Sequence, residues 1–155
     1  MKILVTGGAG FIGSNLIRYI LNNKQHQIIN VDKLTYAGNI DSLVDLNKSS
    51  SYKFELADIC DEQKMNELFD KYKPDKVMHL AAESHVDRSI DNPMDFINTN
   101  IIGTYILLEV SRKYWTNLKG AKKNNFCFHH VSTDEVYGSL GPNDLFEESS
   151  PYKPS

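Results

Sequence analysis

Sulfur chemistry is scarce in this chain: 155 residues hold two cysteines, Cys60 and Cys127, far apart in sequence. They form no Cys-x-x-Cys and no disulfide framework, which excludes a disulfide scaffold and a structural zinc site and suits a reducing cytoplasm. No apolar run approaches the roughly 20 residues that a membrane span requires. The opening strand-like run, Lys2 to Thr6, breaks into glycines at once and leaves no room for the core of a signal peptide. Neither sign of charge dominates. The 17 Lys+Arg against 20 Asp+Glu give a formal charge of −3, without the basic surplus of a dedicated nucleic-acid binder. Internal repeats and long low-complexity segments are missing too. What remains, 41% hydrophobic and 24% charged, is an ordinary globular composition with room for one core.

Strand and helix patterns alternate along the chain. Ile3-Leu4-Val5 is a buried strand stopped by Gly7-Gly8, and Phe11, Ile12, Leu16, Ile17, Ile20 and Leu21 mark one helical face. Ile28 to Val31 is a second strand, Ile40 to Leu46 a short helix or turn, and Tyr52 to Leu56 a third strand. Asp61 caps a helix to about Tyr72, with Met65, Leu68 and Phe69 inward and Pro74 marking the stop. Lys76 to Leu80 is a fourth strand. Asp91 or Asn92 caps a long helix with Pro93 in its first turn, running to about Leu118. Its stripe of Phe96, Ile97, Ile101, Tyr105 and Leu108 reads as a core face. Lys48–Ser51 and Lys119–Asn125 read as polar loops, Phe126 to Val131 as a fifth strand, and Ser139 to Ser155, with three of the five prolines, as an irregular loop. Strand alternating with helix implies right-handed βαβ crossovers and an α/β, Rossmann-like, doubly wound parallel sheet. The expected strand order is 3-2-1-4-5, with the ligand crevice at the carboxyl ends of strands 1 and 4.

Gly7, Gly10 and Gly13 give a Gly-x-x-Gly-x-x-Gly turn that follows the first strand and opens the first helix. Such a turn brings backbone close to a pyrophosphate and places it on a helix N-terminus. In this strand–turn–helix context it predicts dinucleotide binding. Asp32, 19 positions after Gly13 at the end of the second strand, suits the adenosine ribose hydroxyls and would repel a 2′-phosphate, so NAD is favoured over NADP. Lys33 beside it tempers this, since a basic residue there can hold that phosphate. Asp58-Ile59 after the third strand can meet the adenine, although Asp58 taken alone is a neighbour of the helix cap.

Six runs then become recognisable in order: TGGAGFIGS (6 to 14), VDKLTYAGN (31 to 39), ADICD (57 to 61), HLAAESHVDRSI (79 to 90), NTNIIGTYILLE (98 to 109) and HHVSTDEVYG (129 to 138). Together they closely resemble the dTDP-glucose 4,6-dehydratases, a family of extended short-chain dehydrogenases/reductases, over nearly the whole chain. The most discriminating run is Ser132-Thr133-Asp134-Glu135-Val136-Tyr137-Gly138. Related 4-epimerases usually have small residues at the places of Asp134 and Glu135, and GDP-mannose dehydratases usually have Ser at that of Asp134. Plant-type UDP-glucose 4,6-dehydratases share the Thr-Asp-Glu run, so a UDP-sugar dehydratase or epimerase stays open beside dTDP-glucose, as does a non-catalytic NAD-binding fragment.

The resemblance implies NAD contacts from Phe11, Ile12, Asp32, Lys33, Leu34, Thr35, Asp58, Ile59, Leu80, Ala81, Ala82, Ser84 and Thr99. It implies substrate contacts from Ser84 and Thr133, with Asp134 as general acid and Glu135 as general base in the loss of water from a nucleotide sugar. The local chemistry agrees. Ala81 and Ala82 are small where backbone must approach a cofactor. Loss of water needs one proton removed and one delivered, and neighbouring carboxylates resist double ionisation, so the two roles can separate. Taken alone, an Asp-Glu pair is usually a solvated turn; here the context favours catalysis.

Other residues carry less. His129 and His130 are strand neighbours pointing to opposite faces, so they cannot share a metal. His79 and His85 read as structural histidines, and Cys60 and Cys127 as inert thiols. Arg88 suits a sugar phosphate or an acid partner equally. The resemblance also implies that the long helix packs against a second subunit in a homodimer, and it calls for a Tyr-x-x-x-Lys pair on a helix beyond this segment. Tyr105, Tyr114, Tyr137 and Tyr152 have no fitting Lys four positions on. The chain therefore reads as the N-terminal part of a longer enzyme: residues 1–138 an NAD-binding Rossmann domain, and 139–155 a loop toward a catalytic helix and a sugar-nucleotide domain that lie elsewhere.

Overall fold

The five strand-like segments of the sequence form one parallel sheet. The structure, a computed structural model, describes residues 1–23 and 25–154. The strands are β1 (Lys2–Thr6), β2 (Gln27–Asp32), β3 (Tyr52–Leu56), β4 (Lys76–His79) and β5 (Cys127–His130), in the order β3-β2-β1-β4-β5 that the alternation predicts. The register pairs Leu4 with Ile29 on one side and with Val77 on the other. Both faces of β1 are covered, so alternate residues enter different cores. Leu4 joins Val31, Met65, Leu68, Phe69 and Leu107, while Ile3 and Val5 join Ile17, Ile20, Leu43 and Tyr52. This two-sided burial explains why Ile3-Leu4-Val5 of β1 reads as a continuous apolar run.

Helix α1 (Phe11–Asn23) packs one face through Ser14, Ile17 and Ile20. Phe11 and Ile12, expected on that face, are instead 86% and 67% exposed. Burial begins one turn later, and these two side chains stand at the mouth of the sheet. Asn39 starts a 3-10 helix over Ile40–Lys48, its side chain accepting from the Asp41 amide. Helix α2 (Glu62–Tyr72) begins at Asp61, which accepts the Lys64 N–H at 2.9 Å, and stops where Lys73 turns left-handed before Pro74.

Beyond β4 the chain departs from the single long helix expected. A separate helix, α3 (Val86–Asp91), comes first. The ring of Pro93, which brings no N–H, opens α4 (Pro93–Phe96). The helix then passes through a π-helical turn at Ile97–Gly103 before continuing as α5 (Thr104–Asn117). Its buried face carries Thr99, Gly103, Leu107, Val110 and Ser111. The stripe expected in the core is on the other side: Ile101 and Tyr105 are more than 60% exposed, Ile97 and Leu108 also lie open, and Phe96 is half-buried. Both faces of this helix are apolar, so periodicity could not choose between them. The segment expected as a loop at Lys119–Asn125 is a short helix, α6 (Gly120–Asn125). Trp115 anchors it, donating from Nε1 to the Lys123 carbonyl with the Lys123 ammonium over its ring. Gly103, the last residue of the π-helical turn, lies tight against the turn before α2, since a Cβ there would lie 2.6 Å from the Ile59 side chain.

Candidate functional site

All five strands point their carboxyl ends to one rim, and the strand order reverses between β1 and β4. The crevice at that reversal is a mostly apolar-walled cavity of about 360 Å³. Its floor is the glycine turn. Gly7 sits at φ 71°, donates its N–H to the Val31 carbonyl, and comes so near β4 that a Cβ would lie 2.6 Å from the Ala81 nitrogen. Ser14 N–H donates to Gly10 and starts α1, whose first turn has no acidic residue to compete with an anion. Phe11 and Ile12 form an apolar wall of the crevice, which accounts for their exposure.

Asp32 closes the β2 side and has a role the sequence did not reveal. Its Oδ2 accepts the Ala9 N–H at 2.9 Å and its Oδ1 accepts the Leu34 N–H at 2.8 Å. The carboxylate is thus oriented by backbone, with a second lone pair on each oxygen still open to the crevice. The same contact fixes Leu34, which adopts φ 55°. Lys33 turns toward β3 and α4–α5: its ammonium lies 3.4 Å from Asp58 Oδ2 and donates to Thr99 Oγ1 at 3.2 Å. Burial pushes the Asp58 carboxyl up, but the Cys60 amide and Lys33 outweigh it and hold it below the usual range. The Cys60 thiol is pushed up to about 11 by burial and by Asp58, the state of an inert thiol.

The β4 side is held by a buried hydrogen-bond chain. The Ala81 N–H donates to Thr6 Oγ1 at 3.3 Å, Thr6 Oγ1 lies 2.7 Å from His79 Nδ1, and His79 Nε2 lies 2.9 Å from Thr104 Oγ1. His79 is 1% exposed, and burial with its neighbour His130 lowers its pKa to about 4. It is a structural histidine, as its sequence context suggested. Next along the chain, Asn100 fixes the following loop by bonding both the N–H and the carbonyl of Glu83. Arg88 stacks on Tyr36, its guanidinium carbon 3.8 Å from the ring centre. The Tyr36 hydroxyl is raised first by burial and then by Glu83.

Of the sequence-predicted cofactor residues, all line this crevice except Leu34 and Asp58. Leu34 is held through its backbone by Asp32, and Asp58 stands behind Lys33. Sequence reasoning missed Val31, Ala37, Gly38, Ala57, Glu83 and Val131, which also line it. The usable signal among them was small residues directly after strands, as at Ala57. Thr133, Asp134 and Glu135 stand outside the crevice wall. They follow β5 through Val131, whose N–H donates to the His79 carbonyl. Thr133 Oγ1 accepts the Glu135 amide at 3.3 Å and opens a 3-10 turn over Asp134–Tyr137, so the two carboxylates are exposed side by side at the rim. Tyr137 packs on Phe146 and Tyr152, and the Lys153 amide returns to the Val136 carbonyl, which closes the following loop onto this turn.

Small glycines at a helix start, an oriented acid at the end of β2 and an apolar mouth fit an adenine dinucleotide. Among the described residues no cluster of three His, Cys, Asp or Glu is placed to hold a metal ion, and no helix is long and apolar enough to cross a membrane. The family model described as GDP-mannose 4,6 dehydratase matches residues 4–155. The dTDP-glucose 4,6-dehydratase of Salmonella typhimurium and the dTDP-glucose 4,6-dehydratase 1 of Escherichia coli K12 are each 59% identical over the whole chain, which spans 45% of their length. The dTDP-glucose 4,6-dehydratase of Bacillus anthracis, solved in complex with NAD, is 36% identical with a TM-score of 0.83, covering 100% of this chain and 44% of that one. The UDP-glucose 4-epimerase of Thermotoga maritima, solved with UDP-glucose, is 35% identical with a TM-score of 0.80 over 100% of this chain and 45% of its own. The fold is therefore common to both reactions.

Proposed function

The chain belongs to the GDP-mannose 4,6 dehydratase family of extended short-chain dehydrogenases/reductases, and on that premise we propose that it forms the NAD-binding part of a dTDP-glucose 4,6-dehydratase, a cytoplasmic lyase of nucleotide-sugar metabolism. The observation that carries the choice within the family is the 59% identity, over the whole chain, to relatives of that name. Bound NAD supplies hydride acceptance at sugar C4 and hydride return at C6. The chain's residues do the rest. Gly7, Gly10 and Gly13 bring backbone up to the pyrophosphate, whose charge the α1 N-terminus favours. Asp32 takes the ribose hydroxyls on the lone pairs its backbone bonds leave free. Thr133 and Ser84 hold the sugar.

In the C4-ketone form of the sugar, the C5 proton is acidic and Glu135 removes it. The C5–H electrons form the C5=C6 bond, the C6–O bond breaks, and Asp134 protonates the departing hydroxyl to water. The exposed apolar stripe at Ile97, Ile101, Tyr105 and Leu108 supports pairing with a second copy. With no Tyr-x-x-x-Lys pair in the expected place, the 155 residues alone are expected to give no turnover. In an enzyme that includes that pair, Glu135→Gln should permit C4 oxidation, seen as NADH absorbance in a single turnover, yet release no 4-keto-6-deoxy product. Release at the normal rate would refute the role of Glu135.

A further inference from the structure

Resting on the NAD reading above, we propose that Asp58 and Thr99 set the preference for an unphosphorylated adenosine ribose by engaging the Lys33 ammonium, so that it is not free to pair with a 2′-phosphate. A 2′-phosphate at the end of β2 needs a cation there to offset its charge. Lys33 is the one cation among the described residues lining the crevice, and it stands next to Asp32. Left free, it would serve that purpose. In this structure its ammonium is already engaged, ion-paired with Asp58 Oδ2 at 3.4 Å and donating to Thr99 Oγ1 at 3.2 Å.

Both partners are themselves fixed. Asp58 Oδ1 accepts the Cys60 N–H at 2.9 Å, which points Oδ2 at Lys33. Thr99 is 4% exposed and sits in the π-helical turn, where the widened backbone places it on the inward face beside Gly103. Asp58 also cancels the charge of Lys33, so Asp32 leaves the ribose end of the crevice net negative. The arrangement disfavours a phosphate in two ways: the acid that faces it repels it, and the neighbouring base is already neutralised by Asp58. Neither Asp58 nor Thr99 need touch the phosphate to have this effect. They act through Lys33.

Calorimetric titration of the protein with NAD and with NADP tests this. Asp58→Asn keeps an acceptor for the Cys60 amide and removes the charge. It should raise the NADP-to-NAD affinity ratio on the order of tenfold, the worth of one released ionic hydrogen bond. Thr99→Val should raise the ratio less, and Thr99→Ser, which retains the hydroxyl, should leave it as it was. The gain should vanish when Lys33→Met is added to Asp58→Asn. A ratio unchanged in both Asp58→Asn and Thr99→Val, or a gain that survives Lys33→Met, overturns the proposal while NAD binding stands. A wild-type protein that binds neither nucleotide overturns the NAD reading and this inference with it.

Discussion

Acidification from about pH 7 to about pH 4.5 should cost the fold about 2.5 kcal/mol at one residue, His79. The ring is 1% exposed and is wedged between the hydroxyls of Thr6 and Thr104, with His130 stacked 5.1 Å away. Burial first, and His130 second, lower its pKa from 6.5 to about 4. The unfolded chain therefore takes up a proton near pH 6.5 that the native state refuses until about pH 4. Between those values the unfolded state binds more protons, so stability falls as pH falls, by about 1.4 kcal/mol per pH unit at the steepest. Above pH 6.5 the full contribution is present. Carboxylates add their own acid sensitivity, so the decisive quantity is a difference. Urea unfolding of the wild type and of His79→Gln, which hydrogen-bonds but does not titrate, should show a gap near neutrality that shrinks by about 2.5 kcal/mol at about pH 4.5. A gap independent of pH would refute the reasoning, because His79 would then carry the same charge folded and unfolded.

Two further outcomes follow from the same geometry. Asp32→Ala removes acceptors for both the Ala9 and the Leu34 amides. It should destabilise the protein by about 2 kcal/mol before any ligand is added, as well as weakening NAD binding, with Asp32→Asn in between; a melting temperature within about a degree of wild type would count against it. Ile101→Asp, on the exposed stripe, should shift sedimentation toward the monomer while leaving the melt nearly unchanged, and an unaltered sedimentation profile would remove the support for a homodimer through this face.

Much of the fold was legible because strand-like segments alternate with helical ones, the first strand being an apolar run stopped by Gly7-Gly8, and because Asp61 and Pro93 mark helix starts chemically. The errors share a cause. Phe11, Ile12 and the Ile97–Leu108 stripe are apolar residues on helices with a second apolar face, and hydrophobicity alone does not say which face meets the sheet. Lys119–Asn125 looked like a loop because its helix is held by one tryptophan, not by an apolar stripe of its own. At the site, the glycine turn and Asp32 were readable from spacing. The bonds from Ala9 and Leu34 to Asp32 were not, since backbone donors leave no trace in residue identity. The Lys33–Asp58–Thr99 cluster joins three segments that only the closed sheet brings together.

The π-helical turn shows how one local irregularity serves two distant constraints. Thr99 must face inward to meet Lys33, and Thr104 must face inward to meet His79. In a regular α-helix, residues five apart lie about 140° from each other around the axis and cannot share a face. A wider turn, with more residues per turn, brings both to the inward side, and such turns are frequent at functional sites. Gly103, between the two threonines, then lets the widened helix lie against Ile59 where any Cβ would collide. The β2 and β4 walls of the crevice are thereby tied to a single helix. Through Thr99 it reaches the ribose end, and through Thr104, His79 and Thr6 it reaches the Ala81 amide on the opposite wall.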